Sequence, residues 1–201
     1  MKRVLVVAVA RRFVALLSTF SLALLASLAA SPATFAQGKE VEIYVGQYVP
    51  DPSVLDSDLS FGVRFLRGGP GPLKFGTEVS YIQTDGEVTS GLQTGTVDWD
   101  SFCVDFVADY SFAPGKKFET VLTLGTGFAY ESAEASVSGP IAEIDVEDFD
   151  DVTYTIQGGI GFKIAFGKAF FLRPAARLRW FPDRDQSDLD TEYLVGFGRR
   201  W

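Results

Sequence analysis

Thirteen charged residues recur at every second position of extended-looking segments, and theirs is the spacing that could do chemistry. The acids are Glu42, Glu78, Asp105, Asp109, Glu119 and Glu192, and the bases are Arg64, Lys74, Lys163, Arg173, Arg177, Arg179 and Arg200. Neighbouring carboxylates can serve as acid and base, whereas acids facing bases form ion-pair networks. Histidine is absent, which removes every proton relay through imidazole and every His-ligated zinc or haem. The single cysteine, Cys103, excludes a disulfide framework and a thiolate cluster, and is expected to fill a small interior space. Two acidic runs, Glu143 to Asp151 and Asp183 to Asp190, carry enough carboxylates for calcium. The first lacks the glycine turn of an EF-hand loop and the second has no glutamate at the twelfth position, so solvated acidic loops are the simpler reading. No catalytic residue, cofactor or metal site is expected, and the chain reads as non-enzymatic.

Those charges need a scaffold, and composition narrows it. The chain has 201 residues, 47% of them hydrophobic and 14% aromatic, which suits a single packed domain. Lys2, Arg3, Arg11 and Arg12 precede an apolar run from Val14 to Ala30, and Thr34-Phe35-Ala36 ends it with small residues where a signal peptidase reads. Residues 1–36 are therefore expected to be a cleaved secretory signal and residues 37–201 the mature domain. That domain keeps all 26 acids and 14 of the 18 bases, a net charge of −12, which argues against a nucleic-acid partner. It also keeps all 20 glycines. Glycine costs about 1 kcal/mol in a helix, so this composition favours an all-β fold.

Large apolar residues alternate with polar ones through eight segments, 41–49, 59–65, 74–81, 102–110, 118–130, 154–164, 170–180 and 192–201. Val41, Ile43 and Val45, for instance, oppose Glu42, Tyr44 and Gly46, and Phe118, Leu122, Leu124 and Phe128 oppose Glu119, Thr123, Gly125 and Gly127. Pro174 interrupts the seventh segment on its apolar side, where a bulge is the expected remedy.

Alternation alone permits a soluble lipocalin-like carrier, apolar inside, or its inverted membrane counterpart. Three features favour the membrane. Long connections, about nine, eighteen, twenty and nine residues, alternate with short ones of about six, five and four. The short turns carry Arg67, Lys116, Lys117 and Lys168, and the long ones carry the acidic runs. Aromatics fall in two bands, with Tyr81, Tyr130, Tyr154, Trp180 and Tyr193 towards the long connections and Phe65, Tyr110, Phe118, Phe170 and Trp201 towards the short turns, as interfacial girdles would. The polar face mixes glycine with near-balanced charge, which suits a narrow lumen filled by ion pairs. Glu42, Arg64, Glu78, Asp105, Asp109, Glu119, Lys163, Arg173, Arg177 and Arg179 are the expected members of that network.

The eight alternating segments, the run Leu124-Gly125-Thr126-Gly127-Phe128 and the closing Tyr193-x-Val195-x-Phe197-x-Arg199-x-Trp201 resemble the small outer-membrane β-barrel family. That family includes the OmpA-, OmpX- and Opa-like eight-stranded barrels. The resemblance implies an eight-stranded antiparallel up-and-down transmembrane barrel in the bacterial outer membrane, monomeric, surrounded by outer-membrane lipid. It further implies that Tyr193, Val195, Phe197 and Trp201 form the terminal signal read by the barrel-assembly machinery. Arg199 stands where that signal usually has an apolar residue; either the signal is weakened or the side chain snorkels to the headgroups. The expected role is structural, or surface interaction through acidic loops, which could hold divalent cations that bridge to anionic lipid. The alternatives are a narrow OmpW-like channel for small or apolar solutes and the soluble periplasmic lipocalin-like carrier.

Overall fold

A computed structural model of the chain describes residues 38–50, 58–68, 71–90, 93–138, 144–145, 149–182 and 188–201. The expected signal segment, residues 1–36, lies outside the described residues, as do Glu143, Glu147 and Asp148 of one acidic run and Asp183 and Asp185 of the other. The described residues form strands and no helix. In chain order they are β1 (Lys39–Val49), β2 (Asp58–Gly68), β3 (Leu73–Ser90), β4 (Gln93–Ser111), β5 (Phe118–Ser138), the short β6 (Ile144–Asp145), β7 (Phe149–Phe166), β8 (Phe170–Phe181) and β9 (Asp188–Arg200). Every pairing is antiparallel and joins sequence neighbours, apart from β1 with β9, which closes the ring, and β5 with β7, which pass over β6. Eight strands thus form a closed antiparallel barrel, which leaves no unpaired edge along its wall.

The register fixes the barrel's dimensions. Stepping through paired residues from Lys39 leads to Arg67, Phe75, Ala108, Leu124, Gly158, Leu178, Thr191 and back to β1 at Val49, ten residues further along. A shear of ten on eight strands tilts them by roughly 40° and gives a backbone radius of roughly 8 Å, room for side chains but not for an open pore.

Apolar residues face out. Leu124 is 69% exposed, Phe118 64%, Phe128 61% and Phe61 54%, whereas Glu78, Asp109, Arg179 and Glu192 are all 0% exposed. This is the reverse of a lipocalin-like carrier, whose apolar residues would line the inside. Outward rings pack across strands, as in Phe61 with Tyr81 at 5.3 Å and Phe128 with Tyr154 at 5.7 Å between centroids. At the opposite end Phe166, Phe170 and Phe197 form a strip, with Phe170 stacked on each of the other two rings.

Two expectations need correction. The proline in β8 makes no bulge. Pro174 pairs with Val195 of β9 in unbroken register, while the β7 ladder lapses at Phe162 and Lys163 and resumes at Ile164 with its register unchanged. The ring nitrogen simply cannot donate to β7. Restoring that donor with Pro174→Val should raise stability by about 1 kcal/mol, read from the urea midpoint; a lower midpoint would mean that proline's stiffness outweighs the missing bond. The second correction concerns the longest connections. The eighteen residues after Thr84 are mostly strand, because β3 and β4 pair from Leu73 and Tyr110 up to Ser90 and Gln93. β5 likewise runs to Ser138 and β7 starts at Phe149. These strands continue beyond the segments of clean apolar alternation, with small and polar residues such as Thr84 (1% exposed) taking the inward positions and Asp85 and Glu87 the outward ones.

The three short connections, with Gly115 and Gly167 at φ 79° and 70° in two of them, lie at one end, which also holds the paired chain segments Gly38 and Trp201. This is termed the turn end, and the other the loop end. Above the loop-end aromatics Asp85, Glu87, Asp98, Glu134 and Asp151 are exposed, and among the described residues that end carries no lysine or arginine.

Candidate functional site

The inward-facing positions of the strands converge on the barrel axis, and their charges pair there. Six carboxylates (Glu40, Glu42, Glu78, Asp105, Asp109 and Glu192) meet six cations (Arg64, Lys74, Lys163, Arg173, Arg177 and Arg179) in one continuous set of contacts. All are buried. Such a set is tolerable in a low-dielectric interior only because charge is balanced and the oxygens are hydrogen-bonded.

The network is layered along the axis. Nearest the turn end, Glu40 accepts from Lys74 Nζ at 2.5 Å and from Lys163 Nζ at 2.6 Å, and the Lys163 ammonium sits 5.2 Å from the centre of the Phe171 ring. Glu119 stands apart from the twelve, taking Arg200 Nη1 at 2.6 Å and the Gly115 backbone N–H at 2.8 Å. Asp109 draws in Lys163, Arg173 and Arg64 at 3.4 to 3.5 Å and accepts from the Thr123 hydroxyl at 2.6 Å. Arg173 Nε also donates to Glu42 at 2.9 Å.

Glu78 is the hub. Arg64 grips it with Nε at 2.6 Å and with Nη2, Arg177 reaches it from the opposite wall, and the Tyr44 hydroxyl donates to it at 2.7 Å. Arg177 continues to Glu192 at 2.6 Å and Gln157 at 3.0 Å, with its guanidinium 5.2 Å from the Tyr44 ring centre. Closer to the loop end, Arg179 spans Asp105 at 3.0 Å, Glu192 at 3.2 Å and the Ser80 hydroxyl at 3.2 Å.

An apolar plug caps the network at the loop end. Tyr48, Ile82, Trp99, Cys103, Ala129 and Phe181 pack together inside the barrel, with Trp99 stacked on Tyr48 at 5.8 Å and the Tyr48 hydroxyl bonded to Asp190. Cys103 is buried within it, its sulfur 3.4 Å from the Ser101 hydroxyl. Glycines give these large groups their space: a Cβ at Gly62 would overlap the Tyr44 ring, and one at Gly198 the Phe171 ring. Within the network a gap of about 10 Å³ borders Arg64, Gln157, Arg173 and Arg177. That is about the room one water needs. The paired and packed side chains that fill the lumen can lock the strands together.

Of the ten residues expected in the lumen, nine lie in the connected set, and Glu119 is buried in its own pair with Arg200. Glu40, Asp190 and Lys74 join them in the interior. Glu40 and Asp190 were legible, since each stands two positions before an inward acid, Glu42 and Glu192, on the same face. The inward apolar residues were not foreseen. Leu66, Val107, Val121, Phe171 and Leu194 are buried inside, so the inner face is mixed rather than uniformly polar. Of the proposed terminal signal, Tyr193, Val195 and Phe197 face outward on β9, and the Trp201 backbone bonds to Gly38 and Lys39. The Arg199 guanidinium lies 5.9 Å from the Phe170 ring centre and 5.4 Å from that of Trp201. No group of three or more acidic or thiol side chains among the described residues is arranged to hold a metal ion.

No protein-family model matches the chain, and no curated protein matches it either. Solved structures do. Neisserial surface protein A shares 16% identity over 82% of this chain and 97% of its own, with a TM-score of 0.50. Ail, the attachment invasion locus protein of Yersinia pestis, solved with the heparin analogue sucrose octasulfate, shares 13% over 83% of this chain and 100% of its own, also at 0.50. The outer membrane protein OprG of Pseudomonas aeruginosa shares 11% over 82% and 97%, at 0.52. At these identities the likeness is one of fold, that of small outer-membrane β-barrels.

Proposed function

We propose that this chain is an integral outer-membrane barrel without enzymatic activity, closed to solutes, whose role is envelope integrity or surface interaction through its acidic loop end. One observation carries the membrane reading: a continuous belt of exposed Phe, Leu, Val and Ile encloses buried Arg, Lys, Asp and Glu. In water that arrangement would aggregate; in a bilayer it is the stable one, because backbone polar groups are paired around the ring and only apolar side chains meet lipid. The turn end then faces the periplasm and the loop end the exterior. The absence of histidine and the pairing of the lumen charges support a non-catalytic role.

The partner class follows from charge. Ail is seen with a polysulfated ligand, but the exposed acids here have the wrong sign for sulfate. A cationic partner, or divalent cations bridging to anionic lipid, fits instead. Fractionation tests the reading. Expressed in a Gram-negative host, the protein should be recovered in the outer membrane and should migrate differently on gels before and after boiling. Recovery in the soluble periplasm with no mobility shift would overturn it. Planar-bilayer recording separates the closed barrel from the narrow channel: steady unitary currents from purified protein would favour the channel, and a silent bilayer the plugged lumen.

A further inference from the structure

The turn end is as one-sidedly basic as the loop end is acidic. Arg67, Lys116, Lys117 and Lys168 are exposed there. The two acidic side chains at that end among the described residues, Glu40 and Glu119, are buried and already paired. Between the β4–β5 and β7–β8 turns lies an open groove of about 790 Å³, lined by Lys116, Lys117, Phe166, Lys168 and Arg200 with glycine and alanine, and no acidic side chain lines it. Phe166 links it to the lipid-facing strip, where it stacks on Phe170 at 6.5 Å and meets the tilted Phe197 ring at 5.8 Å. Arg199 sits beside this strip over the Phe170 ring, and its Nε, though buried, has no hydrogen-bond partner.

We infer that this groove binds an anionic phospholipid of the periplasmic leaflet. Its phosphate would lie among Lys116, Lys117 and Lys168, and its acyl chains would run along the Phe166–Phe170–Phe197 strip. Charge complementarity carries the choice of occupant. Basic groups at a membrane surface attract anionic headgroups, and a groove that opens onto an apolar strip suits a molecule that is anionic at one end and aliphatic at the other.

The inference rests on the membrane reading above, and the test separates the two. The full protein is folded into phosphatidylcholine vesicles, and insertion is confirmed by the heat-dependent mobility shift; failure to insert would overturn the membrane reading and this inference with it. Electron spin resonance then compares spin-labelled phosphatidylglycerol with spin-labelled phosphatidylcholine at the protein surface. The wild type should favour the anionic lipid by about fivefold at low salt. Lys116→Gln/Lys117→Gln/Lys168→Gln should bring the ratio close to one, as should 1 M salt, whereas Glu87→Gln/Asp98→Asn at the other end should leave it unchanged. Equal association of both lipids with the inserted wild type, or a preference that survives the triple substitution, would overturn the inference alone. Retention of polyglutamate by the micellar protein without lipid preference would overturn it too, and would point to an acidic periplasmic polymer.

Discussion

Glu78→Ala should destabilise the barrel strongly, lowering stability by about 3 to 5 kcal/mol. Glu78 is 0% exposed and takes bonds from Arg64, Arg177 and Tyr44, with Arg179 Nη2 a further 4.0 Å away. Its loss leaves Arg64 with Asp109 at 3.5 Å and crowds three guanidiniums around an uncompensated hole. At ordinary urea slopes this moves the midpoint down by about 2 M. Arg177→Ala should cost less, about 3 kcal/mol, because each carboxylate it leaves keeps another partner: Glu78 retains Arg64, and Glu192 retains Arg179 at 3.2 Å. The double variant should fall short of the sum, since each single change strands the other's charge. An unchanged midpoint for both single variants would refute the paired lumen as a source of stability.

Gly76→Val should prevent the barrel from closing. Gly76 faces inward on β3 opposite Leu66 of β2, and a Cβ there would overlap the Phe65 carbonyl oxygen and lie 2.9 Å from the Leu66 Cα. Both obstacles are backbone, so no rotamer relieves them, and β2 must part from β3. A loss of at least about 3 kcal/mol is expected from overpacking alone. The protein should then lack the compact, heat-sensitive form on gels. Gly71→Ala is the control, because a Cβ at that turn meets nothing within 4 Å. A compact band for Gly76→Val equal to that of the wild type would show that the strands can separate locally without opening the ring.

The two variants probe different levels of legibility. That Glu78 and Arg177 share an inner face followed from period-two alternation, because successive side chains of a strand must point to opposite sides. That they touch did not, since they stand 99 residues apart on β3 and β8, and only the shear of ten sets which levels of opposite walls meet. The role of Gly76 is hidden for the same reason, because its neighbour is the carbonyl of a residue eleven positions earlier. Tyr48 of the plug already stood on the inner face by alternation, but its partners Ile82, Trp99 and Phe181 eluded a reading that expected a polar inner face. These three residues lie just outside the segments in which alternation is clean.

By itself the sequence determined the strand-borne alternation, the inward charges, the aromatic bands and the opposite polarity of the two ends, because each of these depends only on what stands two residues away or in which turn a residue falls. The closed eight-stranded ring was implied by the family resemblance, and the tertiary structure alone decided the ion-pair partners, the apolar cap and the groove between neighbouring turns. These depend on how eight tilted strands are staggered against one another, and that stagger is a property of the assembled sheet that no local pattern encodes.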